Sequence, residues 1–123
     1  MKNIEKFLEQ VAEKTDINFN CVNKNGDYGY YIEFEYWSNL GEDVIISLVV
    51  NELTKDSILH SMFEYADNFD AEENAAMWFN MHGEHGAPTS LRDLLEDADE
   101  QQKKLDEIFD VMQEIIESEA NNG

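Results

Sequence analysis

Basic residues are scarce in this chain: eight Lys and Arg stand against 28 Asp and Glu, giving a net charge of −20 and a pI near 4.1. A surface this acidic is repelled by nucleic acid and by anionic membranes, and attracted to basic protein surfaces. Cysteine is reduced to one residue, Cys21. An intrachain disulfide and a cysteine-built zinc site are therefore both excluded, which fits a cytoplasmic location. No apolar run approaches the roughly 18 residues of a membrane span. The opening Met1-Lys2-Asn3-Ile4-Glu5-Lys6 leads into an amphipathic pattern containing acids, so a signal peptide is not expected either. A glycine-rich phosphate loop, a serine elbow and a calcium loop with alternating Asp, central Gly and final Glu are also missing. These absences argue against an enzyme and against any cofactor.

What remains is ample for a fold. Hydrophobic residues make up 42% of the 123 and aromatics 11%, too many for a disordered acidic tract. One acidic α+β domain over 1–119 is expected, with 120–123 as a frayed tail.

Ile4, Phe7, Leu8 and Val11 recur at helical spacing to about Lys14. Ile17, Phe19 and Cys21 then alternate with Asn18, Asn20 and Val22, and Asn25-Gly26 marks a hairpin. From about Tyr28 to Trp37, Tyr30, Ile32, Phe34 and Tyr36 face one way, and Tyr31, Glu33, Glu35 and Trp37 the other. Val44–Val50, apolar on both faces except for Ser47, predicts a strand that is central or covered on both sides. After Thr54 the period changes from two to 3.6. Ile58, Met62 and Tyr65 mark a second helix; Asp70-Ala71-Glu72-Glu73 has the form of a capping box opening a third, with Ala75, Trp78, Phe79 and His82 on one side and Gly83 to stop it. Ser90 caps a long last helix. The predicted architecture is a helix, a three-stranded antiparallel meander, and three further helices. Its core should hold Phe7, Phe19, Ile32, Phe34, Ile46, Leu48, Met62, Phe79, Leu94 and Leu105.

In the last helix Leu91, Leu94, Ala98, Gln101, Leu105, Ile108, Met112 and Ile115 form an unbroken heptad. It serves either a core-packing helix or, in its second half, a homodimer seam.

Candidate chemistry is thin. His82 and His85 flank Gly83 and Glu84, but Gly83 breaks the helix turn that a two-histidine zinc motif requires, so no metal site is expected. Cys21 has no neighbouring base to activate it and reads as a core residue. Glu33 and Glu35 share one strand face, most simply a solvated one.

The acids are better organised. From Glu64 to Glu100, eleven of them (Glu64, Asp67, Asp70, Glu72, Glu73, Glu84, Asp93, Glu96, Asp97, Asp99 and Glu100) face one base, Arg92, so half the net charge lies in under a third of the chain. Asp93, Glu96, Asp97 and Glu100 recur at i, i+3, i+4, i+7, a stripe whose neighbouring carboxylates repel by about 0.2–0.5 kcal/mol per pair. Carboxylates spaced about 5–6 Å apart along a rod resemble a phosphate row. The candidate partner-binding residues are therefore Glu64, Asp67, Asp70, Glu72, Glu73, Asp93, Glu96, Asp97 and Glu100, with Trp37 at the rim.

The element order and the acids following the sheet resemble the small acidic anti-CRISPR proteins of phages and mobile elements. The likeness runs from Asn3-Ile4-Glu5-Lys6-Phe7-Leu8 through Tyr31-Ile32-Glu33-Phe34-Glu35-Tyr36 to Asp67-Asn68-Phe69-Asp70-Ala71-Glu72-Glu73, and leaves out the Leu91–Glu119 helix. Tyr65–Leu95 is also similar to small acidic proteins of gut-bacterial mobile elements, through Phe69-Asp70-Ala71-Glu72-Glu73 and Gly86-Ala87-Pro88-Thr89-Ser90-Leu91-Arg92. The resemblance implies a DNA mimic whose partner is the basic groove of a nucleic-acid-binding protein such as a CRISPR effector nuclease, with no direct binding to nucleic acid or membrane. The alternative is an acidic immunity protein that neutralises a basic toxin nuclease.

Overall fold

Helix α1 (Lys2–Thr15) buries Ile4, Phe7, Leu8 and Val11, the stripe that its 3.6-residue period puts on one face. It ends on paired hydrogen bonds, Ile17 N to Ala12 O (3.0 Å) and Asp16 N to Glu13 O (3.4 Å), with Asp16 left-handed at φ 55°. This double closure satisfies the last carbonyls and turns the chain sharply into the sheet. The computed structural model describes residues 2–24, 26–27, 29–83 and 90–122, and for 2, 81–83, 121 and 122 the backbone alone.

Strands β1 (Asn18–Lys24), β2 (Tyr30–Trp37) and β3 (Asp43–Val50) form an antiparallel meander in the order β1-β2-β3. Helices α2 (Lys55–Asn68), α3 (Ala71–Gly83) and α4 (Leu91–Asn122) follow. This is the α+β architecture that the change of period predicts. No helix among the described residues is long and apolar enough to cross a membrane. The inner sheet face, with Ile32 and Phe34 from β2 and Ile46, Leu48 and Val50 from β3, packs with α1, α2 and α4 into one core.

Several local expectations are corrected. The register shifts between Phe19 and Cys21, so Phe19 pairs with Phe34 and Val22 with Ile32, while Cys21 sits opposite Glu33. An inserted residue reverses the side-chain alternation beyond it, which sends Val22 to the core and Cys21 to the outer face. Strand β3 is an edge rather than central, with Ile45 and Val49 open on its outer side. Helix α2 covers that edge: Ser61 Oγ and Tyr65 OH donate to the carbonyls of Val49 and Ile45, each at 3.4 Å. Phe79 is 43% exposed, because α3 buries only Ala75 fully and packs Ala71 and Trp78 beside it. Of the other expected core residues, Phe19 is half-buried against the core and the rest are buried.

Helix α4 starts where Ser90 Oγ accepts from Asp93 N (3.2 Å), and its backbone runs to Asn122, within the segment 120–123 expected to fray. Every heptad position from Leu94 to Ile115 is buried, whereas Leu91 is exposed. The second half of the heptad, the alternative dimer seam, is occupied inside the chain by its own core.

Gly29 sets the tightest steric limit. At φ 130° it lies against Val50, whose carbonyl oxygen an added Cβ would overlap, whereas Gly26 at φ 62° has open space. Gly29→Ala is expected to lower the unfolding free energy by about 3 kcal/mol, combining backbone strain with overpacking. Gly26→Ala should cost only about 1–2 kcal/mol, for its left-handed φ alone. Urea denaturation of both variants checks this, and equal losses would show that the contact with Val50 is not limiting.

Candidate functional site

The β2–β3 turn is held by Ser38, whose N–H donates to Glu42 O (2.8 Å), whose carbonyl accepts from Gly41 N (2.9 Å) and whose Oγ accepts from Glu42 N (3.1 Å). This turn is docked on α4 by Asp97. One carboxylate oxygen of Asp97 accepts from Leu40 N and the other from Gln101 Nε2, both at 3.2 Å. Asp97 and Gln101 are each only 4% exposed. The expected four-acid stripe therefore loses a member: Asp97 points inward and holds the turn, leaving Asp93, Glu96 and Glu100 exposed. A carboxylate satisfied by a backbone N–H is a structural tie rather than a contact on offer to a partner.

Glu42 meets this junction from the turn. Burial, then the charge of Asp97 and a hydrogen bond with it, push the Glu42 carboxyl up to about 7 against the opposing Gln101 amide. Its Oε2 is buried without a hydrogen-bond partner, as is the hydroxyl of Tyr36. The Tyr36 phenol is likewise raised, by burial first and then by Asp97. Gln101 is a neighbour of Asp97 by helical spacing alone, four residues on, and enters the sequence pattern only as a heptad position. Glu42 and Tyr36 join the pair through the packing of sheet and turn on the helix and were not expected there.

Two clefts open around this junction. One, of about 510 Å³, runs from Asp16 and Asn18 past Tyr36 and Trp37 to Glu100, Lys104 and Glu107 on α4. The other, of about 400 Å³, lies between Asn39–Leu40 and the helix face bearing Asp93, Glu96, Asp99 and Glu100. They share Asn39, Asp97, Glu100 and Lys103. The fold thus brings Trp37, 64% exposed at the end of β2, into one cleft with Glu100 of the stripe, while Asp93 and Glu96 line the adjoining cleft. Lys103 tempers this surface locally, lying 3.0 Å from Glu100.

The remaining candidate residues lie elsewhere. Asp70 caps α3, its Oδ1 accepting from Glu73 N at 3.1 Å. Glu72 and Glu73 stand in the first turn, where the helix dipole favours acids. Glu64 is exposed on α2 beside His60 (3.0 Å), and Asp67 lines a groove between α2 and α4. On the outer sheet face, a hydrogen bond to Asp43 is the first cause holding the Glu35 carboxyl above its ordinary range. The expectation for His82 and His85 lies outside the described side chains. Among the described residues, no three His, Cys, Asp or Glu side chains are grouped to hold a metal ion. Comparison with protein-family models, curated proteins and solved structures finds no match for the chain.

Because the folded state holds the Glu42 proton more tightly than the unfolded chain does, the stabilising contribution of that proton is complete below about pH 4.5. It declines as the pH rises and is gone above about pH 7. Glu42→Gln, which resembles the protonated acid, should therefore gain melting temperature relative to the native chain between pH 5 and pH 8. Thermal melts at both pH values test this; a constant gap would mean that Glu42 does not titrate with folding.

Proposed function

We propose that this protein is an acidic inhibitor that mimics nucleic acid and occupies the basic groove of a cytoplasmic nucleic-acid-binding protein, such as a defence nuclease. The observation that supports this reading is the exposed row on α4: Asp93, Glu96, Asp99, Glu100, Asp106, Glu107, Asp110, Glu114, Glu117 and Glu119, with Arg92 and Lys103 as its exposed bases. At 1.5 Å per residue the row spans roughly 39 Å, or about one carboxylate per 4 Å. A nucleic-acid strand carries one phosphate per about 3.4 Å, so a groove of Lys and Arg would meet a comparable linear charge. Trp37 beside the row supplies an aromatic anchor of the kind enriched at interface centres.

The row also accounts for why binding would be favourable. Its carboxylates repel one another in the free protein, and a basic surface relieves that repulsion as it docks. Recognition of this kind is steered by charge and weakens with salt, since exposed charges are screened beyond about 8 Å at physiological ionic strength.

The test begins with a pull-down from host lysate and identification of the captured protein by mass spectrometry. Changing Asp93, Glu96 and Glu100 together to Lys should weaken that complex at least roughly 100-fold while the circular dichroism spectrum is kept, because all three side chains are exposed. Duplex DNA and this protein should exclude each other from the partner. Binding that survives the charge reversal, or a ternary complex with DNA at unchanged affinity, would sink the proposal.

A further inference from the structure

Helices α2 and α4 leave a further groove between them, of about 560 Å³, lined by Phe63, Ala66, Asp67, Gln102, Asp106, Phe109 and Asp110. Its floor is aromatic. The Phe63 and Phe109 rings stand 5.7 Å apart, tilted by 56°, and Phe63 is 50% exposed. Gln102 ties the two walls together, its amide donating to Ala66 O (3.1 Å) and to Asp106 Oδ1 (3.4 Å). Three carboxylates rim it, and no basic side chain lines it. The ion pairs among the described residues are Lys55–Glu119, His60–Glu64, Lys103–Glu100 and Lys104–Glu107, so Asp67, Asp106 and Asp110 have none.

We propose that this groove docks an arginine side chain presented by a protein partner. An occupant must cover an exposed aromatic ring and at the same time supply positive charge to three acids. A guanidinium does both, because its plane stacks on a ring face while its fork of donors reaches two carboxylates together. Its aliphatic stem covers the apolar floor. An ammonium offers a point charge without the plane and fits less well. The groove shares Asp106 and Asp110 with the exposed row, but its place between α2 and α4 and its aromatic floor set it off from Asp93, Glu96 and Glu100.

Hexa-arginine and hexa-lysine peptides are the probes, titrated by calorimetry and amide NMR at physiological salt. Hexa-arginine should shift the amides around Phe63, Asp67, Asp106 and Phe109 first, and bind more tightly than hexa-lysine. Phe63→Ala leaves the net charge unchanged and should weaken hexa-arginine about fivefold or more, within the range of a cation–π contact. Asp67→Asn with Asp110→Asn, which keeps the rings, should weaken both peptides. Equal affinity for the two peptides, or binding indifferent to Phe63→Ala, would overturn the proposal in favour of diffuse charge attraction. Self-association of the free chain that Phe63→Asp abolishes would overturn it too, by making a second copy the occupant. Groove binding that passes these tests, in a protein that fails to compete with DNA, would leave this inference standing and remove the proposed inhibitor role.

Discussion

A helix of 32 residues is roughly 48 Å long, more than any single element of so small a domain can cover. Helix α4 is therefore covered in sections. From Leu105 to Ile115 its buried stripe lies in the main core with the sheet, α1 and α2. Around Leu94 and Ala98 it lies in a small cluster with Ala71, Ala75, Trp78 and Leu95. Between the two clusters the stripe turns polar at Gln101, which bonds the buried Asp97 one turn earlier, where the β2–β3 turn meets the helix. The continuity of this one stripe is the constraint on which the other elements depend, since α1, α2 and α3 each pack on α4, and α1 and α2 in turn carry the sheet.

Two of the eight bases act as ties between elements. Lys104 donates to Thr15 O at 2.6 Å, joining α4 to the end of α1, and its ammonium lies 5.7 Å from the Tyr36 ring centroid. Lys55 bridges the start of α2 to Glu119 near the end of α4 and lies 5.6 Å from the centre of the Phe7 ring. Among the described residues the ion-paired acids are Glu64, Glu100, Glu107 and Glu119, so the rest of the solvent side of α4 is a repulsive surface held together by the apolar packing beneath it. The proposed basic partner would relieve that repulsion, at the row of Asp93, Glu96 and Glu100 and at the aromatic groove of Phe63.

Much of the fold was legible in the chain because period reports burial directly: the 3.6-residue stripe of α1, the Tyr30–Tyr36 alternation and the Leu94–Ile115 heptad all face the core. Capping was legible for the same reason, since Asp70 and Ser90 act on N–H groups three residues away. Cys21 was misplaced because a bulge adds a residue without any change of composition. Strand β3 was misplaced because an apolar run does not reveal whether a second strand or only a helix covers its far edge.

Composition and spacing determined an acidic α+β chain with one long amphipathic helix and an excess of carboxylates, since both depend only on residues near one another in sequence. Tertiary structure decided which carboxylates are free. Asp93, Asp97 and Glu100 are equivalent on a helical wheel, yet Asp97 alone meets the Leu40 N–H, 57 residues away in the chain, and is withdrawn from the surface. The pairing of Phe63 with Phe109 and the upward shift of the Glu42 carboxyl are likewise products of contacts between distant segments. No local pattern carries them, because burial and electrostatic environment are set by whatever the rest of the chain packs alongside.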